Sequence, residues 1–181
     1  MINLLQFNEN DFSQLISEIP DACFLLQWAG PKYTFPLDSG QLSETLGKTV
    51  GNEPTFKVFK VIRSNTLETV GHIQLMNIDY DAERCSLGRV LIFKKYRGNG
   101  FGKEAVREAV RIAFENLGLN EIMLGVFEFN IAAIKLYKKI GFLEFQFLEG
   151  ARQFKDEMWN LIRMNLYKTH WLQRNLCEPI L

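Results

Sequence analysis

The spacing of apolar residues changes from one period to another along this chain, and each period predicts a different kind of element. Ile2, Leu4 and Phe7 suggest a short opening strand. Asn8 to Asp11 then offer capping side chains for a helix whose apolar positions are Phe12, Leu15, Ile16 and Ile19, and Pro20 ends it. Asp21 can cap a second apolar stretch through Phe24, Leu25 and Trp28, stopped by the Gly30-Pro31 pair. A further helix reads over Leu37 to Leu46, with Asp38 or Ser39 near its start, before Gly47, Gly51 and Pro54 mark a loop.

From Thr55 the pattern is that of strands. Phe56, Val58, Val61 and Ile62 lie in a β-branched and aromatic run, followed by Val70 to Ile78 and Cys85 to Phe93, with turns at Asn65 and at Asp79 to Arg84. Three strands in series with short polar turns imply an antiparallel meander. Beyond Phe93 the elements alternate: a helix from about Gly100 to Leu117, a strand from Glu121 to Phe127, a helix from Asn130 to Lys139, and final strands near Phe142 to Leu148 and Met158 to Leu166. In the first of these helices Val106, Ala109, Val110, Ala113 and Leu117 recur at three- and four-residue steps, so one face packs on a sheet. The order calls for an α/β (α+β) fold, a mixed and mostly antiparallel sheet of about seven strands with helices on both faces.

The 181 residues fit a single domain, and no repeat or linker divides them. Lys plus Arg equals Asp plus Glu at 21 each, so no global field draws the chain to nucleic acid or to an anionic membrane, and any anion site must be local. Cys23, Cys85 and Cys177 are widely separated, without zinc spacing or the density of a disulfide scaffold. With no secretory segment in Met1 to Asn10 and no long apolar span, a reduced cytoplasm is the expected location.

The stretch Lys94-Lys95-Tyr96-Arg97-Gly98-Asn99-Gly100-Phe101-Gly102-Lys103 carries four cations and no acid between a strand and an amphipathic helix. Alternate glycines remove the Cβ atoms that would hold a ligand off the backbone, and the helix's first turn aims free N–H groups and the positive end of its dipole at an incoming anion. A pyrophosphate satisfies this arrangement. Walker A spacing is absent, because Glu104 follows Lys103 and Arg97 stands where the first glycine belongs. A dinucleotide fingerprint survives only as Gly100-x-Gly102-x-x-Ala105, and it belongs to a parallel βαβ unit rather than to a turn after a meander.

Arg97-x-x-Gly100-x-Gly102 resembles the cofactor motif of the GCN5-related N-acetyltransferases (GNAT), which wraps the pyrophosphate of CoA. Val90-Leu91-Ile92 is similar to the family's central strand, whose backbone pairs with pantetheine, and Asn130-x-x-Ala133-x-x-Leu136-Tyr137-x-x-x-Gly141-Phe142 is similar to its second block. The likeness covers about Thr55 to Leu166, with residues 1–54 more loosely matched on the acceptor side and 167–181 as a tail. Trp28-Ala29-Gly30-Pro31 is similar to a bacterial branch related to ribosomal-protein acetyltransferases. The resemblance implies a sheet splayed between its fourth and fifth strands, acetyl-CoA as cosubstrate, no metal, and transfer of acetyl to an amine of a small molecule or peptide. A catalytically inactive CoA-binding sensor is the alternative, and a homodimer is left open.

On this resemblance the cofactor would meet Val90, Leu91, Ile92, Arg97, Gly98, Asn99, Gly100, Phe101, Gly102, Lys103, Asn130 and Tyr137. Arg97 could instead form a surface ion pair, and Asn130 caps its helix in any reading. Tyr137 is the candidate general acid for the leaving thiolate, or else a core aromatic beside Ile134 and Ile140. Backbone N–H groups around Ile92 could polarise the thioester carbonyl. Relatives place a glutamate base where Gly125 stands here, which leaves Glu128, Glu83, Asp81 or a water relay. Trp28 and Phe35 are candidates for the acceptor pocket, or else pack a helix on the sheet. His72 and His170 lack triad spacing and read as structural or surface residues.

Overall fold

The computed structural model describes residues 1–177 and places seven strands in one sheet. The meander is β2 (Lys57–Arg63), β3 (Thr69–Asp79) and β4 (Arg84–Ile92), with β1 (Ile2–Gln6) antiparallel to β2. β5 (Glu121–Phe127) follows β4 in parallel, and β6 (Leu143–Phe154) and β7 (Glu157–Tyr167) form a hairpin. β7 inserts beside β5, so the order is β1-β2-β3-β4-β5-β7-β6.

Helices cover both faces. On one lie α1 (Phe12–Ser17), α2 (Ala22–Ala29) and α3 (Ser39–Leu46), whose Phe12, Leu15, Leu25 and Leu42 bury against Val58, Leu91 and Phe93. Asp21 accepts the Phe24 N–H at 2.8 Å and Asp38 that of Gln41 at 2.9 Å, so each side chain starts its helix by satisfying a free donor, worth about 1 kcal/mol. On the other face α4 (Phe101–Arg111) and α5 (Ile131–Ile140) bury Val106, Ala109, Val110, Ile134 and Ile140 over Ile73, Leu75 and Ile122.

Two departures from regularity shape the middle of the sheet. β4 and β5 pair only at Arg84↔Glu121, Cys85↔Ile122 and Ser86↔Met123, after which they part, as the resemblance implied. Farther along, β4 bulges against β3: Gln74 faces Gly88 but His72 faces Leu91, one residue too many on β4. The extra residue switches the faces of the strand. Cys85 and Leu87 join the core under α4, whereas Leu91 and Phe93 join the core under α1 to α3. Arg89, at the bulge, has φ 51°, in the left-handed region that residues other than glycine seldom enter.

Elsewhere the elements run differently from the sequence pattern. The helix expected to reach Leu117 is α-helical to Arg111 and then forms a π-helical turn, Ile112–Asn116, that buries Ala113 and Phe114. β6 continues beyond Leu148 to Phe154: the ladder with β7 shifts register between Leu148 and Arg152 and resumes at Arg152↔Trp159, Gln153↔Met158 and Phe154↔Glu157. The tail expected from residue 167 is a helix, α6 (Lys168–Cys177); residues 178–181 lie outside the described residues. The buried Trp171 packs α6 against Phe114, with ring centroids 5.6 Å apart.

Trp171→Ala is therefore expected to cost about 3–5 kcal/mol, the range for deleting a buried aromatic. Urea unfolding followed by circular dichroism measures it. An unchanged midpoint would mean that α6 does not belong to the cooperative core.

Candidate active site

Gly100 precedes α4 with φ 80° and no side-chain cap, so the helix begins with exposed backbone donors. The amides of Lys103 and Glu104 turn back to the Gly100 carbonyl at 3.0 and 3.3 Å, while those of Phe101 and Gly102 have no partner inside the helix. A Cβ at Gly98 or Gly100 would enter open space, whereas one at Gly102 would approach Leu136 at 3.3 Å and Ile92 at 3.6 Å. The first two glycines thus permit the left-handed turn, and the third lets α4 close on β4 and α5. No acidic side chain belongs to this turn, so its donors and cations suit a pyrophosphate.

The turn opens into a cleft of about 550 Å³ between the parted strands. One wall is β4 from Leu87 to Ile92, the other is Gly125 to Phe127 of β5 with Asn130, Leu136 and Tyr137 of α5, and α2 contributes Phe24, Gln27 and Trp28. Beyond Ser86 the β5-facing edge of β4 has no strand to pair with, which leaves its backbone groups to a ligand. Of the twelve residues expected around the cofactor, eleven line this cleft. Asn99 is the exception: its Nδ2 donates to the carbonyls of Tyr96 at 3.1 Å and Arg97 at 3.2 Å, holding the turn from behind.

The Arg97 Nε donates to the Ile92 carbonyl at 3.0 Å, and its guanidinium lies over the Phe24 ring at 5.8 Å, at the mouth of the cleft. Neither contact is the surface ion pair weighed as its alternative role. Lys103 lines the cleft; Lys94 and Lys95 do not. Asn130 caps α5 through the Ala133 N–H at 3.2 Å. Tyr137 packs edge-on against Phe142 with centroids 5.8 Å apart and also lines the cleft. Burial pushes its phenol up to about 12, and its hydroxyl has no hydrogen-bond partner among the described residues.

The base candidates fall elsewhere. Glu83 sits in the turn that starts β4, its carboxylate accepting from Asn120 Nδ2 and its carbonyl from the Asn120 and Glu121 amides. The length of β4, roughly 25–30 Å, separates it from Ile92, and Asp81 shares that turn. Glu128 is exposed beyond the end of β5, accepting from Asn160 Nδ2 at 2.8 Å. No Asp, Glu or His side chain lines the cleft among the described residues. Phe35, 43% exposed, is also absent from its lining, whereas Trp28 is present. His170 lies half-buried on α6.

One lining residue escaped the sequence reading. Arg89 is 7% exposed, and its Nη1 donates to the Tyr33 hydroxyl at 2.7 Å and to Gln74 Oε1 at 2.9 Å. The Tyr33 hydroxyl lies 2.7 Å from Thr45 Oγ1, and Gln74 Nε2 lies 2.8 Å from His72 Nε2. His72 is fully enclosed, and burial, helped by the Arg89 charge, pushes its pKa down to about 3. The available signal was an arginine directly after a glycine, between the apolar residues Leu87 and Val90 of a strand, a pattern that favours a bulge.

Comparison with known proteins agrees with this architecture. The profile of the acetyltransferase (GNAT) domain matches residues 2–143. An uncharacterised N-acetyltransferase of prophage origin in Bacillus subtilis is 29% identical over 111 residues, 61% of this chain and 60% of its own length. A spermidine N(1)-acetyltransferase of Vibrio cholerae is 25% identical over 115 residues, 64% of this chain and 66% of its own. The chain thus spans less than two thirds of the length of these relatives in sequence. The crystal structure of the Vibrio cholerae spermidine N-acetyltransferase in complex with CoA and spermine superimposes with a TM-score of 0.82 at 20% identity, covering 94% of this chain and 98% of that one, and so shares the fold. On the domain match, the parted β4 and β5 and the glycine turn between them, the chain belongs to the GCN5-related N-acetyltransferase family.

Proposed function

We infer that the protein transfers acetyl from acetyl-CoA to the nitrogen of an amine. The observation that carries this reading is one continuous cleft, with the unpaired donors of the Gly98–Lys103 turn at one end, the free edge of β4 along its length, and Tyr137 in its wall. Pyrophosphate fits the first and an extended amide-bearing arm fits the second, which sets the thioester beside the third. The spermidine N-acetyltransferase of Vibrio cholerae acts on an amine, which agrees with an amine acceptor here.

The chemistry then follows from the lining. A neutral amine attacks the thioester carbonyl carbon, a C–N bond forms, and the oxygen gains charge that backbone N–H groups of the β4 edge stabilise. Collapse breaks the C–S bond, and Tyr137 gives its proton to the departing sulfur before regaining one from water. The attacking nitrogen sheds its proton to solvent, because neither a carboxylate nor an imidazole lines the cleft. Arg89, which also lines the cleft, assists indirectly, since a cation near the amine lowers the pKa of a bound ammonium and favours its neutral form.

Calorimetry with Gly100→Glu tests the anion site. The side chain enters open space but brings a negative charge, so acetyl-CoA affinity is expected to fall more than tenfold, with about 1–2 kcal/mol of backbone strain at φ 80°. Gly100→Asn tolerates the left-handed turn without the charge and should keep most of the affinity. Equal loss in both variants would assign the effect to conformation.

Tyr137→Phe keeps the packing against Phe142 and removes the proton donor, so turnover should drop by roughly 10²-fold at little change in acetyl-CoA affinity. Full turnover in this variant, with chemistry shown to limit the rate, would leave Tyr137 in the core alone.

The pH profile separates acid from base. Tyr137 must be protonated to act, and a pKa raised to about 12 keeps it so across the assay range. With no enzyme base titrating, kcat/KM should climb with unit slope toward the acceptor's own amine pKa and show no fall below about pH 10. A plateau set by a group near neutrality, the same for acceptors of different basicity, would reveal a base outside the cleft lining described above.

A further inference from the structure

Two residues of the cleft lining carry buried donors without acceptors. Arg89 is a 93% buried cation with no carboxylate partner among the described residues, a costly state unless a ligand completes it. Its Nη1 is shared between two neutral oxygens, while its Nε has no partner at all. The Trp28 indole N–H is also buried without an acceptor. Both residues line the cleft, Arg89 from the β4 bulge and Trp28 from α2.

The surrounding network cannot supply the missing acceptor. Gln74 Nε2 donates to His72 Nε2, which places the proton of the neutral imidazole on Nδ1, a third buried donor without a partner. Gln74 Oε1 and the Tyr33 oxygen are already taken by Nη1. Trp28 and Tyr33 stand 6.2 Å apart, centroid to centroid, Trp28 and His72 5.7 Å, and the Tyr33 ring lies 4.1 Å from the guanidinium carbon, so the cluster is one packed unit. It offers donors only.

We propose that Arg89, with the Trp28 indole N–H, forms an acceptor subsite for a carboxylate, so that the amine acetylated here belongs to an amino acid or short peptide and not to a polyamine. The proposal rests on the acetyl-transfer reading and narrows its acceptor. A polyamine would bring several positive charges into a cleft lined by Arg89, Arg97 and Lys103 and by no acid. A carboxylate supplies acceptor lone pairs and the counter-charge together, and bonds of that kind to a buried guanidinium are worth about 10- to 100-fold in discrimination. The left-handed φ of Arg89 has a use on this account, since the bulge turns the side chain from the α4 core toward Tyr33.

The test is acetyl-CoA consumption by the intact chain with an α-amino acid, an ω-amino acid and a dipeptide, each set against its carboxamide, together with spermidine. Rates are compared per unit of neutral amine. The expected result is a preference of about 10- to 100-fold in kcat/KM for at least one carboxylate over its amide, carried by KM, and poor use of spermidine. Arg89→Met should erase the preference with acetyl-CoA affinity retained, and Trp28→Phe, which loses only the N–H and keeps the ring, should reduce it in a protein whose thermal unfolding is unchanged. Amides or spermidine used as well as the carboxylates, or a preference that survives both variants, would overturn the proposal and leave acetyl transfer standing. Absence of turnover with every acceptor would overturn the transfer reading and the proposal with it.

Discussion

The structure depends on the parting of β4 from β5. A sheet interior normally satisfies every backbone donor and acceptor, and an unpaired edge inside a protein is costly unless something fills it. Here each strand stays committed to its other neighbour: β4 to β3 as far as Gly71↔Ile92, and β5 to β7 from Glu121↔Tyr167 to Phe127↔Leu161. After three parallel pairs the two half-sheets diverge as units, so the gap is held open by the β3–β4 and β5–β7 ladders and not by any one residue. The glycine turn, the start of α4 and the buried face of α5 are then carried to the rim of that gap by the chain's order.

Charge divides along the same line. Among the described residues the carboxylates lie outside the cleft, some in pairs such as Lys60 with Asp11 and Arg111 with Glu108, others capping α2 and α3 through Asp21 and Asp38. Inside are amide donors, three cations and a phenol, an interior that favours anions at both ends and neutral nitrogen between them. The absence of a carboxylate at Gly125, which alone would suggest a damaged site, fits a reaction whose proton leaves through water.

Legibility in the sequence followed the physics that set each element. The meander, the α4 stripe and the caps at Asp21, Asp38 and Asn130 were readable because burial or a local side-chain bond determines them. The far half of β6 was not, since its mostly exposed residues carry no burial pattern, and α6 is marked in the sequence mainly by Trp171, which is buried. The glycine turn and Tyr137 stood out as motifs, whereas Arg89 was hidden because a bulge, and not its place in the alternation, decides which face it serves. Glu128 and Glu83, the base candidates, do not line the cleft. Both are close to the site in sequence, yet one leaves the strand toward Asn160 and the other sits at the far end of β4.

The central claim is that the free edge of β4 and the turn before α4 together receive acetyl-CoA. Amide hydrogen exchange read by mass spectrometry, with and without saturating acetyl-CoA, tests it most directly, because the exposed donors are the ones that a ligand would protect. The account predicts slowed exchange confined to peptides spanning Leu87–Ile92 and Gly98–Lys103, with the β3-paired amides of β4 already slow in both states. Saturated binding that protects neither segment, or that protects a surface outside the cleft, would contradict it.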